Sequence, residues 1–128
     1  MSKTDYLEAA MLNHTLRNTA YTPPATIYMG LFTSATSDAG GGTEVAGNGY
    51  ARQVVTVGAP GGGSVSNTNT VTFPAGSPAG YGTITHAGYF DALAGGNMLR
   101  HSPLLTPRTF NAGDAPTFAP GQAIVTED

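Results

Sequence analysis

Two spacings of apolar residues divide the chain. Residues Tyr6 to Arg17 contain Leu, Ala, Met and Glu with no glycine or proline, which predicts a helix. Ser2, Thr4 and Asp5 can each cap it, and Ser2–Asp5 and Asp5–Glu8 both have capping-box spacing. Arg17 suits the negative end of its dipole. At helical spacing Ala9, Leu12 and Leu16 share one face, while Leu7, Met11 and His14 form a second stripe. A helix apolar on more than one side is expected to be covered on both, by its own domain or by a neighbour.

From Thr26 the spacing changes to two. Ile27, Met29 and Leu31 alternate with Thr26, Tyr28 and Phe32, and both sets are largely apolar, which predicts a central strand. Further strands are expected over 50–57, 69–73, 82–90, 98–101 and 122–126, with short extended pieces at 109–110 and 115–118. Between them lie a Gly/Ser/Asp-rich loop over 34–49, a flexible glycine run over 58–64, a hairpin turn at Ala94-Gly-Gly-Asn97 and a turn at Asn111–Asp114. The pattern predicts a mainly β protein: an antiparallel β-sandwich or jelly-roll-like domain with one N-terminal α-helix. Residues 1–128 read as a single domain, with a helix or arm over 1–20 and a β domain over 25–128. The 18 threonines favour strand over helix.

Charge changes this picture more than size does. Only 10% of residues are charged, against about 25% in an ordinary domain, and residues 53–90 carry no formal charge. A surface of Thr, Ser, Asn and glycine backbone is cheap to desolvate, because no full charge leaves water. Interface centres are depleted in Lys, Glu and Asp in the same way. The bland alternative is a soluble β domain with a Thr/Ser-rich face. The cations Lys3, Arg17, Arg52, Arg100 and Arg108 are scattered, so direct nucleic-acid binding is not expected. No apolar run reaches the ~20 residues of a membrane span, and no signal-peptide pattern opens the chain. The lack of cysteine excludes disulfides and fits assembly in a reducing cytoplasm.

Candidate chemistry is sparse. His86 and Asp91 fall on opposite faces of an ideal strand, which disfavours a catalytic pair. His101 is expected at a surface or interface near the hairpin, and His14 on the helix. No Gly-x-Ser-x-Gly elbow or Gly-Lys-Ser/Thr phosphate loop occurs. Asp38, Glu44, Asp91 and Asp114 are too dispersed for a calcium loop. No catalytic residue, cofactor or metal site is expected, and the chain reads as a non-enzyme. A hydrolase or carbohydrate-binding reading would rest on Tyr21, Tyr50, Tyr81 and Tyr89 as an aromatic platform, and the absence of tryptophan weakens it.

Several stretches, in order, resemble one family. They are Leu7-Glu-Ala-Ala-Met-Leu-Asn-His14, Thr22-Pro-Pro-Ala-Thr-Ile-Tyr-Met-Gly-Leu-Phe-Thr33, Gly42-Thr-Glu-Val45 and Gly49-Tyr-Ala-Arg-Gln53. Val71-Thr-Phe-Pro74, Gly82-Thr-Ile-Thr-His-Ala-Gly-Tyr-Phe-Asp-Ala92 and Gly95-Gly-Asn-Met-Leu99 complete the set. The order is similar to that of short virion proteins of tailed bacteriophages, labelled decoration, cement or tail-fibre proteins. The resemblance implies a capsid decoration or cement protein on the outer capsid surface of the virion. Its partners would be the phage's major capsid protein and further copies of itself, as a trimer or dimer at a symmetry axis. A tail or tail-fibre component, acting as adaptor or receptor-facing module, is the alternative. The candidate interface residues are Leu7, Met11 and His14 on the helix, and Glu44 and Arg52 around the turn at 46–49. Glu44 and Arg52 can pair with each other or reach a neighbouring subunit.

Overall fold

The computed structural model describes residues 1–126. The elements are β1 (Ser2–Lys3), α1 (Asp5–Leu16), β2 (Ile27–Phe32), β3 (Gln53–Val55) and β4 (Ser64–Ser66). They continue with β5 (Val71–Thr72), β6 (Gly82–Phe90), β7 (Met98–Phe110), β8 (Thr117–Phe118) and β9 (Ile124–Thr126). An antiparallel sheet has the order β1-β7-β6-β2-β3, and two ribbons, β4–β9 and β5–β8, stand apart from it. The expected mainly β, antiparallel architecture with one N-terminal helix is therefore what forms.

Alternation along β2 explains the layering. Met29 and Leu31 point into a cluster with Val55, Ala87 and Tyr89 of the sheet, and the ribbons bring Val71 and Val125 to it. The ribbons thus supply the second layer over one face. On the opposite face Phe32, Phe90 and Met98 pack together with Tyr28 beside them. Three of the tyrosines on which a carbohydrate-binding platform would rest belong to the first cluster: Tyr81 and Tyr89 are buried, and Tyr50 packs against it. Tyr50 stacks on Phe73 at 5.9 Å and meets Tyr81 edge-on at 5.8 Å. These rings are core, because their apolar area outweighs one hydroxyl each.

The helix starts at Thr4, and neither capping box forms, since Ser2 is taken into β1. Thr4 Oγ1 accepts from Leu7 N at 3.4 Å and donates to Met98 O at 2.6 Å, so one hydroxyl both caps α1 and fastens it to β7. Only Leu7 of the helix is fully buried. At the other end Thr19 N bonds Asn13 O while Asn18, at φ 52°, turns the chain away.

Two segments differ from the sequence expectation. β7 was expected to end at His101, yet it runs to Phe110 through Pro103 and Pro107. Beyond His101 its pairing partner is β6 alone, and the register breaks between Ile84/Arg108 and His86/Pro103, so neither proline sits between two ladders. The glycine run over 58–64 is a tight hairpin rather than a flexible loop. Gly61 and Ser64 exchange backbone bonds across Gly62 and Gly63, whose φ of 61° and 76° suit glycine, and the chain returns as β4.

Among the described residues one buried side-chain polar atom lacks a protein partner. Tyr89 is 4% exposed and its hydroxyl makes no hydrogen bond. Burial pushes its pKa up to about 12, and that of Tyr50 higher still, from the ordinary 10.0. The folded protein holds these protons more tightly than the unfolded chain does. Their contribution is therefore complete below pH 10; that of Tyr89 is lost as pH rises through about 12 and that of Tyr50 at higher pH still. Tyr89→Phe is expected to keep or raise the melting temperature at neutral pH, since an unpaired buried hydroxyl costs about 1–3 kcal/mol. It is also expected to lessen the alkaline loss. Melting temperature against pH, followed with tyrosinate absorbance, checks both, and a clear destabilisation at neutral pH would show that the hydroxyl has a partner.

Candidate functional site

The polar side chains gather where β2 changes partner. Met29 pairs with Gln53 of β3, but Val45 N bonds Leu31 O and Thr33 N bonds Thr43 O, so the outer neighbour has become the segment 43–45. The gap left at Leu31 N is filled by a side chain: Leu31 N donates to Tyr50 Oη at 3.0 Å. Tyr50 donates in turn to Glu44 Oε2 at 2.7 Å. Arg52 completes the cluster, with Nε 2.8 Å from Glu44 Oε2 and Nη2 2.8 Å from Glu44 Oε1.

Arg52 also reaches the β6–β7 turn. Its Nη1 donates to Ala92 O at 2.9 Å and Gly95 O at 2.8 Å, and the guanidinium lies 3.4 Å over the Phe90 ring. Phe90 itself stacks on Phe32 at 6.0 Å. Of the two arrangements open to Glu44 and Arg52, the structure shows the intramolecular one. The bidentate fork, the planar stack and the two carbonyls need the shape of Arg, which Lys lacks. Gly30 makes the approach possible, because a Cβ there would lie 2.8 Å from Glu44 Oε2 and 2.9 Å from Phe90 Cε2.

A second cluster holds the start of α1. Asp5 N bonds Asp38 O, and Asp38 Oδ1 lies 2.7 Å from His101 Nε2, whose Nδ1 is 2.8 Å from Thr36 Oγ1. His101, expected at a surface or interface, is 9% exposed and fastens the 34–42 loop to β7. His86 bonds Thr85, and Asp91 binds Asn97 across the hairpin turn, so the two have separate structural tasks. Among the described residues no three acidic or histidine side chains converge as metal ligands, and no helix is long and apolar enough to cross a membrane.

The helix stripes have opposite fates. Of Leu7, Met11 and His14, the first is buried, the second half-buried, and His14 Nδ1 accepts Tyr21 N at 3.3 Å. The first turn of that stripe is occupied within the chain, because Thr4 and Leu7 dock it onto β7, while His14 stays exposed. The other stripe faces outward: Leu12 is 57% and Leu16 77% exposed, with Ala9 exposed between Asp5 and Leu12. An apolar groove of about 390 Å³ lies on the docked side, walled in part by Leu7, Ile27, Val65, Tyr89 and Leu99.

Comparison with known families matches residues 2–126 to the family described as Podophage GP4 fiber I protein gp80. The chain belongs to this family. It is a bacteriophage structural protein, as the resemblance of its motifs implied. No curated protein matches it. The match spans both clusters and the helix, so the switch at Leu31 and the outward stripe lie within the family's extent.

Arg52→Ala is expected to destabilise the domain by about 3 kcal/mol or more, because Glu44 loses its partner and two turn carbonyls lose their donor. Arg52→Lys should recover only part of this. Chemical denaturation of the three proteins checks the order, and an unchanged midpoint for Arg52→Ala would remove the cluster from the fold's foundations.

Proposed function

We propose that the chain is a subunit of a virion fibre and that α1 is the arm by which neighbouring subunits hold it. The observation that carries this is the stripe Ala9, Leu12 and Leu16, left outward on a helix whose own domain buries only Leu7. The family description supports a fibre over a plate on the head. The charge-poor surface supports repeated protein contact in either place, since many modest contacts multiply in a symmetric particle. The capsid decoration or cement role, on the outer capsid surface beside the major capsid protein, stands as the second reading and is supported by that same surface.

The protein acts by contact rather than catalysis in this reading. The two clusters of polar side chains are internally paired, which supports it: Tyr50, Glu44 and Arg52 close the sheet, and Thr36, Asp38 and His101 fasten the helix.

Truncation of residues 1–20 is a poor probe, because Thr4 and Leu7 belong to the fold. Leu16→Glu changes an exposed position only. It is expected to leave circular dichroism and melting temperature unchanged while lowering the amount of protein in purified particles at least several-fold. Normal incorporation would overturn the arm. Copy number in the same particles separates the two readings: few copies indicate a fibre, and a lattice-scale number indicates the head surface.

A further inference from the structure

We propose that the outward stripe of α1 pairs with the same stripe of a second copy, antiparallel and across a two-fold axis beside Leu12. This rests on the reading of α1 as an arm and names its occupant.

Charge selects the occupant and the direction. The first turn of α1 carries Asp5 and Glu8, while Arg17 stands at its C-terminal end and His14 in its last turn. The helix dipole adds positive character to the first end and negative character to the second. A parallel neighbour would bring Glu8 beside Glu8 and align the two dipoles. An antiparallel one brings Glu8 beside the partner's Arg17 and opposes the dipoles. The same arrangement seats Leu16 over the partner's Ala9, a large residue against a small one, and brings the two copies of Leu12 together at the axis. Self-complementarity of this kind, in which i meets j and j meets i, is what a two-fold contact requires.

Magnitude limits what the contact can do alone. Two leucines and an alanine per copy cover at most a few hundred Å², well below the roughly 1,200 Å² of a stable standard interface. The pair is therefore weak in free solution and becomes effective when the subunits are already held close in a particle.

Because the chain contains no cysteine, single thiols report the geometry directly. Full-length Ala9→Cys, Leu12→Cys and Leu16→Cys proteins are oxidised mildly at high concentration, alone and in mixtures. The expected result is a disulfide dimer for Leu12→Cys and a mixed dimer of Ala9→Cys with Leu16→Cys that exceeds the Leu16→Cys homodimer several-fold. Glu8→Arg should reduce cross-linking, and Glu8→Arg combined with Arg17→Glu should restore it. A dominant Leu16→Cys homodimer would mean parallel helices and overturn the proposal. No cross-link at any position, with Leu16→Glu still lost from particles, would mean that a different virion protein covers the stripe; the pairing then falls and the arm stands. No cross-link together with normal incorporation of Leu16→Glu overturns both.

Discussion

The constraint on which this fold turns is the change of partner along one edge of β2. A strand cannot leave a buried N–H unpaired where its neighbour departs, and Leu31, which is 0% exposed, is the residue where that happens. Tyr50 supplies the missing acceptor, which requires its ring to lie in the core and its hydroxyl to be held by Glu44. Glu44 is tolerable at a half-buried position because Arg52 neutralises it in bidentate fashion. Arg52 in turn needs a surface for its guanidinium and acceptors for its remaining donors, which Phe90 and the hairpin turn provide. Each residue of the cluster is thus the condition for the next, and the turn over 91–97 is drawn to the opposite edge of β2 as a result.

This dependence accounts for the uneven use of charge. In a chain with 13 charged residues, the Glu44–Arg52 pair is spent inside, where a partner and hydrogen bonds offset desolvation. Beside it Phe32, Phe90 and Met98 form an apolar cluster, with Asp38 held by His101 nearby. What remains outside is a charge-poor surface that is inexpensive to cover, with Leu12 and Leu16 of α1 among its exposed apolar residues.

Much of this was legible from spacing and some of it was not. β2 stood out because its side chains follow a period of two after Pro23-Pro24, β6 as an extended run carrying Ile84 and Tyr89, and the Ala94–Asn97 turn because glycine pairs permit positive φ. The two faces of α1 were visible, but which one faced inward was not. That depended on Thr4, whose hydroxyl acts on Met98, 94 positions away. β7 was truncated at His101 because prolines usually end strands, and the exemption for a segment paired on one side only appears once its neighbours are known. The same limit hid the cluster at Leu31: Glu44, Tyr50 and Arg52 are close in sequence, but the need they answer arises on β2. The place of the tyrosines was open for a related reason, since a ring that serves as core and one that serves as platform look alike until burial is known.

The two clusters are joined, which bears on how a load on the arm would be carried. Thr4 bonds to Met98 O and Leu99 O, and Asp5 to Asp38, which His101 of β7 holds from the other side. Met98 packs with Phe90, on which Arg52 is stacked. A pull on α1 therefore meets β7 first, and then the central strands through Phe90 and β6, without passing through either short ribbon. β6 and β7 are the longest strands and pair with each other along most of their length. Antiparallel ladders of that length must break several bonds together rather than one at a time, so α1 is anchored where the sheet is most cooperative. A helix placed on a ribbon of two or three residues would have had only a few bonds to resist the same pull.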